Sequence, residues 1–172
     1  MAWVNLGQAA HVVQAALDRR LEAAAGVSGA EYELLLRLGQ EPRRPLQMTE
    51  IAGLLLSSRS GATRLVDRLV EAGLVARETP SENRRAVYVR LRPEGEAVLA
   101  RAQAAFEESF EVVFSAHLSD RDVSELRKIL RKLLEGNGAW AAERCEPLTA
   151  PSPEPGEPIS ARPARGRGSG PG

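Results

Sequence analysis

Residues 54–95 read LLLSSRSGATRLVDRLVEAGLVARETPSENRRAVYVRLRPEG, and the hydrophobic period changes once along them. Up to Gly73 the apolar residues Leu65, Val66 and Leu69 recur at helical spacing. Beyond it Val87, Val89 and Leu91 alternate with Tyr88, Arg90 and Arg92, which is the period of a strand. Ser57 and Ser58 interrupt the run TEIAGLLL and can cap a new helix from Arg59 to Ala72 that stops at Gly73. Leu74, Val75 and Ala76 then lead through Thr79–Asn83 into the second strand. Helix, tight turn, helix and a β-hairpin with arginines at its tip make a winged helix-turn-helix.

Outward from this segment the chain is helical. Upstream, Thr49 is expected to cap the short helix TEIAGLLL, with Glu50 at the positive end of its dipole. Ser28 and Glu31 have the offset of a capping box, opening a helix with Tyr32, Leu35, Leu36 and Leu38 on its apolar face. Residues 5–25 place Leu6, Ala10, Val13, Leu17, Leu21 and Ala24 at spacings of three and four and end near Gly26. Downstream, Pro93 suits the first position of a long helix running to about Ala116, which carries Phe106, Phe110 and Phe114. Ser119 and Asp122 cap a last helix with Val123, Leu126, Ile129, Leu130, Leu133 and Leu134. The fold class is therefore mainly α with a small β-hairpin. A winged helix alone offers too little surface to cover the flanking apolar stripes, so they are expected to pack on one another and on a second chain.

The chain has 172 residues and 43% hydrophobic content, the size of one domain with an appendage. Residues 1–145 are expected to form that domain. Residues 146–172 hold seven of the eleven prolines and almost no apolar side chains, the composition of a disordered tail. There is no long apolar run, and MAWVNLGQ lacks the basic and apolar blocks of a signal peptide, so a cytoplasmic protein without membrane contact is expected. Cys145 is the single cysteine, read as an inert exposed thiol. No cofactor or metal site is expected. His117 near Asp120 and Asp122 reads more simply as charge at a helix cap.

The formal net charge is zero, but it is unevenly spread. Residues 57–92 carry eight arginines against four acids, Asp67, Glu71, Glu78 and Glu82. On charge alone, a surface meeting a polyanion and a solvated arginine-rich face are equally good accounts. An enzyme is not expected, because no arrangement of nucleophile, base and orienting group is visible. The rival reading is a winged helix used as a protein-interaction module without specific DNA binding.

On these residues the sequence resembles the MarR family of bacterial transcriptional regulators. Thr63-Arg64-Leu65-Val66-Asp67-Arg68-Leu69 followed by Gly73-Leu74-Val75 is similar to the family's recognition helix and first wing strand. Asn83-Arg84-Arg85-Ala86-Val87, with Leu91 and Gly95, is similar to its wing. The resemblance covers about residues 5–138. It departs from the family pattern at Asn83, where an acid is usual, at Arg92, where a threonine commonly caps the long helix, and at Gly61, where a β-branched residue is common.

The resemblance implies a homodimer built through the first and last two helices. It further implies that such a dimer binds palindromic double-stranded operator DNA, commonly as a repressor released by a small molecule or by oxidation. Ser58, Arg59, Ser60, Gly61, Thr63 and Arg64 are the expected DNA contacts from the recognition helix, with Arg84 and Arg85 from the wing tip. Arg59 and Arg64 are long enough for guanine edges, and Thr63 can meet a thymine methyl. His11 and Tyr32 are candidates to line a cavity for a small aromatic or phenolic effector.

Overall fold

The computed structural model describes residues 1–40, 45–55, 57–79 and 86–142. Among them run α1 (Ala2–Ala25), α2 (Gly29–Gln40), β1 (Leu46–Gln47), α3 (Met48–Leu54), α4 (Arg59–Glu71), β2 (Val75–Glu78), β3 (Tyr88–Leu91), α5 (Pro93–Val113) and α6 (Asp120–Gly136). The expected mainly helical winged architecture is present. The wing tip, including Asn83, Arg84 and Arg85, and the chain from residue 143 onward, including Cys145 and the tail, lie outside the described residues.

Several helix ends follow from local chemistry. α1 starts at Ala2, three residues earlier than periodicity places it, and ends at Gly26. That glycine adopts φ 70° while its N–H donates to the Glu22 carbonyl, a left-handed position that a side chain would strain. The capping box at α2 forms as expected: Ser28 N–H donates to Glu31 Oε2 at 2.9 Å, and Glu31 N–H to Ser28 Oγ at 3.4 Å. The Asp18 carboxylate of α1 also accepts from Gly29 N–H at 2.6 Å, which binds the two helices at their junction. Ser119 and Asp122 cap α6 in the same reciprocal way.

The α3 cap and the sheet also differ from what the sequence predicts. α3 is capped by Gln47 rather than Thr49: Gln47 N–H donates to Glu50 Oε2 at 2.7 Å, and Thr49 lies two residues on, inside the first turn, its hydroxyl donating to the Gln47 side chain. The sheet also has three strands instead of two, ordered β1-β3-β2 and antiparallel throughout. Leu46 pairs with Val89 and Arg77 pairs with Val89 from the other side, so β3 is the central strand. A two-residue strand is too short to show alternation, which is why periodicity misses β1.

The core sits where this small sheet meets α2, α3 and α4. Leu34, Leu35, Ile51, Val66, Leu69, Val75 and Val89 are fully buried there. α5 enters from β3 through Arg92, which caps with no side-chain hydrogen bond, and Pro93 at the first position. Gly95 is required at this crossing, because a Cβ there would collide with the Leu74 carbonyl, which accepts the Arg92 N–H. α5 ends at Val113, short of the expected Ala116, and continues as a 3₁₀ turn over Ser115–His117.

α1 lies along α5, and Tyr32, Phe106, Phe110 and Phe114 stack in sequence, with ring centroids 5.0, 5.5 and 4.8 Å apart. Phe106 packs against the core while Phe110 is half-buried, so neither lies at the centre of a core within the single chain. α6 buries none of its residues.

Candidate nucleic-acid interface

α4 divides into two faces. Ala62, Leu65, Val66 and Leu69 are buried, whereas Arg59, Ser60, Thr63, Arg64, Asp67 and Arg68 are exposed. Every third or fourth residue is apolar, which turns one stripe to the core and leaves the other in solvent. α3, the Ser57–Ser58 turn and α4 therefore present a rigid helix by its N-terminal half.

The first turn of α4 is organised by its own hydroxyls. Ser58 Oγ accepts the Gly61 N–H at 3.0 Å and lies 3.0 Å from Ser60 Oγ. Gly61 fits closely here, since a Cβ would stand 3.2 Å from Ser58 Oγ. With the Gly61 N–H satisfied by the cap, the N–H groups of Arg59 and Ser60 are the first-turn donors left to the helix N-terminus. Thr63 Oγ1 donates to the Arg59 carbonyl at 2.8 Å, which uses its one hydroxyl proton and leaves the oxygen an acceptor.

The arginine surplus sorts into two classes. Arg68 Nε reaches Glu31 Oε1 on α2 at 2.8 Å, and Arg90 Nε reaches Glu78 across the β2–β3 pair at 2.9 Å. Arg77 pairs with Asp67 and also donates to the Thr63 carbonyl at 3.3 Å, pinning β2 to the exposed side of α4. Arg92 lies 3.7 Å from Glu94. Arg59 and Arg64 form no ion pair among the described residues, and both are exposed. The clamps made by Arg68 and Arg77 escaped sequence reading, because their partners are 37 and 10 residues away. The excess of arginine over acid was the one signal of them.

Glu31 accepts hydrogen bonds from Ser28 N–H, Ser28 Oγ and Arg68 Nε. Burial pushes its carboxyl up, but the hydrogen bonds from Ser28 and the Arg68 guanidinium outweigh that and hold it below its ordinary value of 4.5.

Behind the winged unit, α1, α2 and α5 enclose a cavity of about 490 Å³ lined by Leu17, Asp18, Tyr32, Glu33, Leu36 and Phe106 among others. Tyr32 lies in its wall, whereas His11 is exposed on α1 and is not among the lining residues. Burial, with a smaller contribution from the Glu107 charge, pushes the Tyr32 hydroxyl up to about 12, so it stays protonated and able to donate. Among the described residues no cluster of three or more His, Cys, Asp or Glu side chains could hold a metal ion, and no helix is long and apolar enough to cross a membrane. Asp122, read beside His117, serves the α6 cap.

α3, the serine turn, α4 and the β2–β3 ribbon define a winged helix-turn-helix protein. The sequence profile of the MarR family matches residues 25–86. A MarR family transcriptional regulator from Streptomyces coelicolor, solved in complex with DNA, is 32% identical with a TM-score of 0.74, over 79% of this chain and 88% of that one. A putative transcriptional regulatory protein for the hcr operon of Thauera aromatica is 31% identical over 67% of this chain and 68% of its own length. The transcriptional repressor MprA of Escherichia coli (strain K12) is 29% identical over 64% of this chain, and the match spans 62% of the length of MprA. The chain belongs to the MarR family of transcriptional regulators, which are not enzymes.

Proposed function

We propose that this chain is a homodimeric, sequence-specific DNA-binding repressor of palindromic operators, released by a small aromatic effector. The observation that carries this reading is the exposed face of α4. There Arg59 and Arg64 remain outside the ion pairs that engage Arg68 and Arg77. Arginines left uncompensated on the exposed half of a recognition helix have the reach and the forked donors for guanine edges. Ser58, Ser60, Gly61 and Thr63 surround them at the helix start, where phosphate is favoured. Arg84 and Arg85 are assigned to the minor groove on sequence grounds. The relative from Streptomyces coelicolor was solved with DNA, which supports the same use of the fold here.

The dimer reading rests on unsatisfied apolar surface. Trp3 and Val12 on α1, Val112 on α5, and Ile129 and Leu133 on α6 are between 49% and 81% exposed. These three helices flank the winged unit, and a twofold axis through them would present two copies of α4 about 34 Å apart, one turn of DNA. The effector reading rests on the cavity beside Tyr32.

Selection from a random duplex pool, followed by titration of the recovered site at increasing salt, tests the proposal. An inverted repeat with half-sites about ten base pairs apart, and an affinity falling steeply with salt, is the expected result. Recovery of no preferred sequence, with salt-insensitive protein partners instead, would move the interaction-module reading ahead.

A further inference from the structure

The cavity between α1, α2 and α5 has a charge that does not suit an acid. We propose that it takes an aromatic cation rather than an aromatic acid. This rests on the effector reading above and names the ligand class of that same site. Tyr32 and Phe106 form the aromatic wall, stacked with centroids 5.0 Å apart, and Leu17 and Leu36 extend it. The volume of about 490 Å³ is that of a small-molecule site.

Two carboxylates, Asp18 and Glu33, belong to the lining, and no lysine, arginine or histidine does among the described residues. Asp18 is fixed in place by accepting the Gly29 N–H at 2.6 Å. Glu33 meets Arg37 at 3.5 Å, which offsets one of the negative charges. Glu107 stands close enough to Tyr32 to act on its hydroxyl, which adds a third carboxylate to the surroundings. A lining with two carboxylates and, among the described residues, no cationic side chain of its own leaves a net negative field over an aromatic surface. That field favours a cation at the ring faces and disfavours a carboxylate or phenolate ligand.

The test uses two ions of nearly the same shape and opposite charge, tetraphenylphosphonium and tetraphenylborate, titrated calorimetrically into the full chain without DNA. The phosphonium is expected to bind at least about tenfold more tightly than the borate. In the double variant Asp18→Asn, Glu33→Gln the asparagine keeps an acceptor for the Gly29 N–H. That variant should bind the phosphonium about fivefold more weakly and narrow the gap between the ions, as expected for exposed charges. Phe106→Leu should weaken the phosphonium while leaving the double variant's charge response intact. Equal binding of the two ions, or a phosphonium affinity indifferent to the carboxylates, would overturn the proposal. Operator affinity with and without the phosphonium is read separately. A carboxylate-dependent cation that leaves operator binding unchanged removes the effector role and keeps the cation site, and a chain that binds no operator at all sinks only the regulatory reading.

Discussion

Leu35 on α2 and Leu133 on α6 are the same side chain on the apolar stripes of two amphipathic helices, yet the first is 0% exposed and the second 49%. The charges divide in the same way. In the winged unit several ion pairs join different elements, as Arg68 joins α4 to Glu31 of α2 and Arg77 joins β2 to Asp67 of α4. Along α6 the pairs Lys128–Glu125 and Arg131–Glu135 stay within one turn of the same helix. One region satisfies its surface inside the chain. The other carries a stripe that the described residues leave uncovered, and on the dimer proposal that contrast separates what the fold needs for stability from what a second copy would cover.

The largest effect should come from breaking the self-contained region. Leu35→Ala removes a fully buried side chain, and a cost of about 2–5 kcal/mol is expected. Thermal unfolding should show it at every protein concentration. Gly95→Ala should cost about 1–3 kcal/mol by a different route, because the new methyl meets the Leu74 carbonyl where α5 crosses the wing. If Leu35→Ala melted only at low concentration, the winged unit would itself depend on the dimer and the contrast would fail.

The opposite behaviour is expected of α6. Leu133→Glu places a charge on the uncovered stripe, and it should cost about 2 kcal/mol or more of association. Sedimentation velocity should then find a monomer at micromolar concentration, while circular dichroism retains the helical content. A Leu133→Glu chain that sediments as a dimer would mean that this stripe is not the interface.

Which of these features the sequence alone reveals follows from the range of the interaction. The limits of α4, the capping boxes at Ser28 and Ser119, and Pro93 at the start of α5 rest on neighbours three or four residues apart, and they stand as read. β1 depends on β3, whose Val89 lies 43 residues beyond Leu46, so no local pattern announces it; the Gln47–Glu50 box is local, but Thr49 offered a more usual capping residue beside it. The candidate site behaves likewise. The basic surplus of residues 57–92 is visible by counting, but its division into clamps and uncompensated arginines needs the partners Glu31 and Asp67 in space. Tyr32 and His11 sit on adjacent helices in the sequence, yet the direction each helix faces brings only Tyr32 to the cavity.

That division of the arginines gives a sharper test inside the winged unit. Arg64→Ala should cost about 1–3 kcal/mol of operator affinity per half-site and relax the preference at one base position, read by repeating the site selection. Arg68→Ala should leave the selected sequence unchanged and lower the melting temperature instead, because its partner is Glu31 rather than a base. If Arg68→Ala altered base preference while Arg64→Ala did not, the assignment of roles along α4 would be reversed.

The smallest effect separates an ion pair that crosses elements from one that stays in a single turn. Glu31 is held below its ordinary value of 4.5 in the folded chain by Ser28 and Arg68. Its contribution is therefore fully present above that value and disappears as pH falls through the lower folded value. Glu31→Gln keeps an acceptor for the Ser28 cap and loses the charge, so at neutral pH it should be less stable by about 1 kcal/mol, a modest figure because solvent screens the half-exposed Arg68. The difference between parent and variant should shrink as the pH is lowered below the ordinary carboxylate value, followed by urea unfolding at a series of pH values. Glu135→Gln, whose partner Arg131 lies one turn away on exposed α6, should differ from the parent by less than about 0.5 kcal/mol across the same series. Equal, pH-independent effects at both positions would show that the pair between α2 and α4 does no more for the winged unit than a surface contact does for α6.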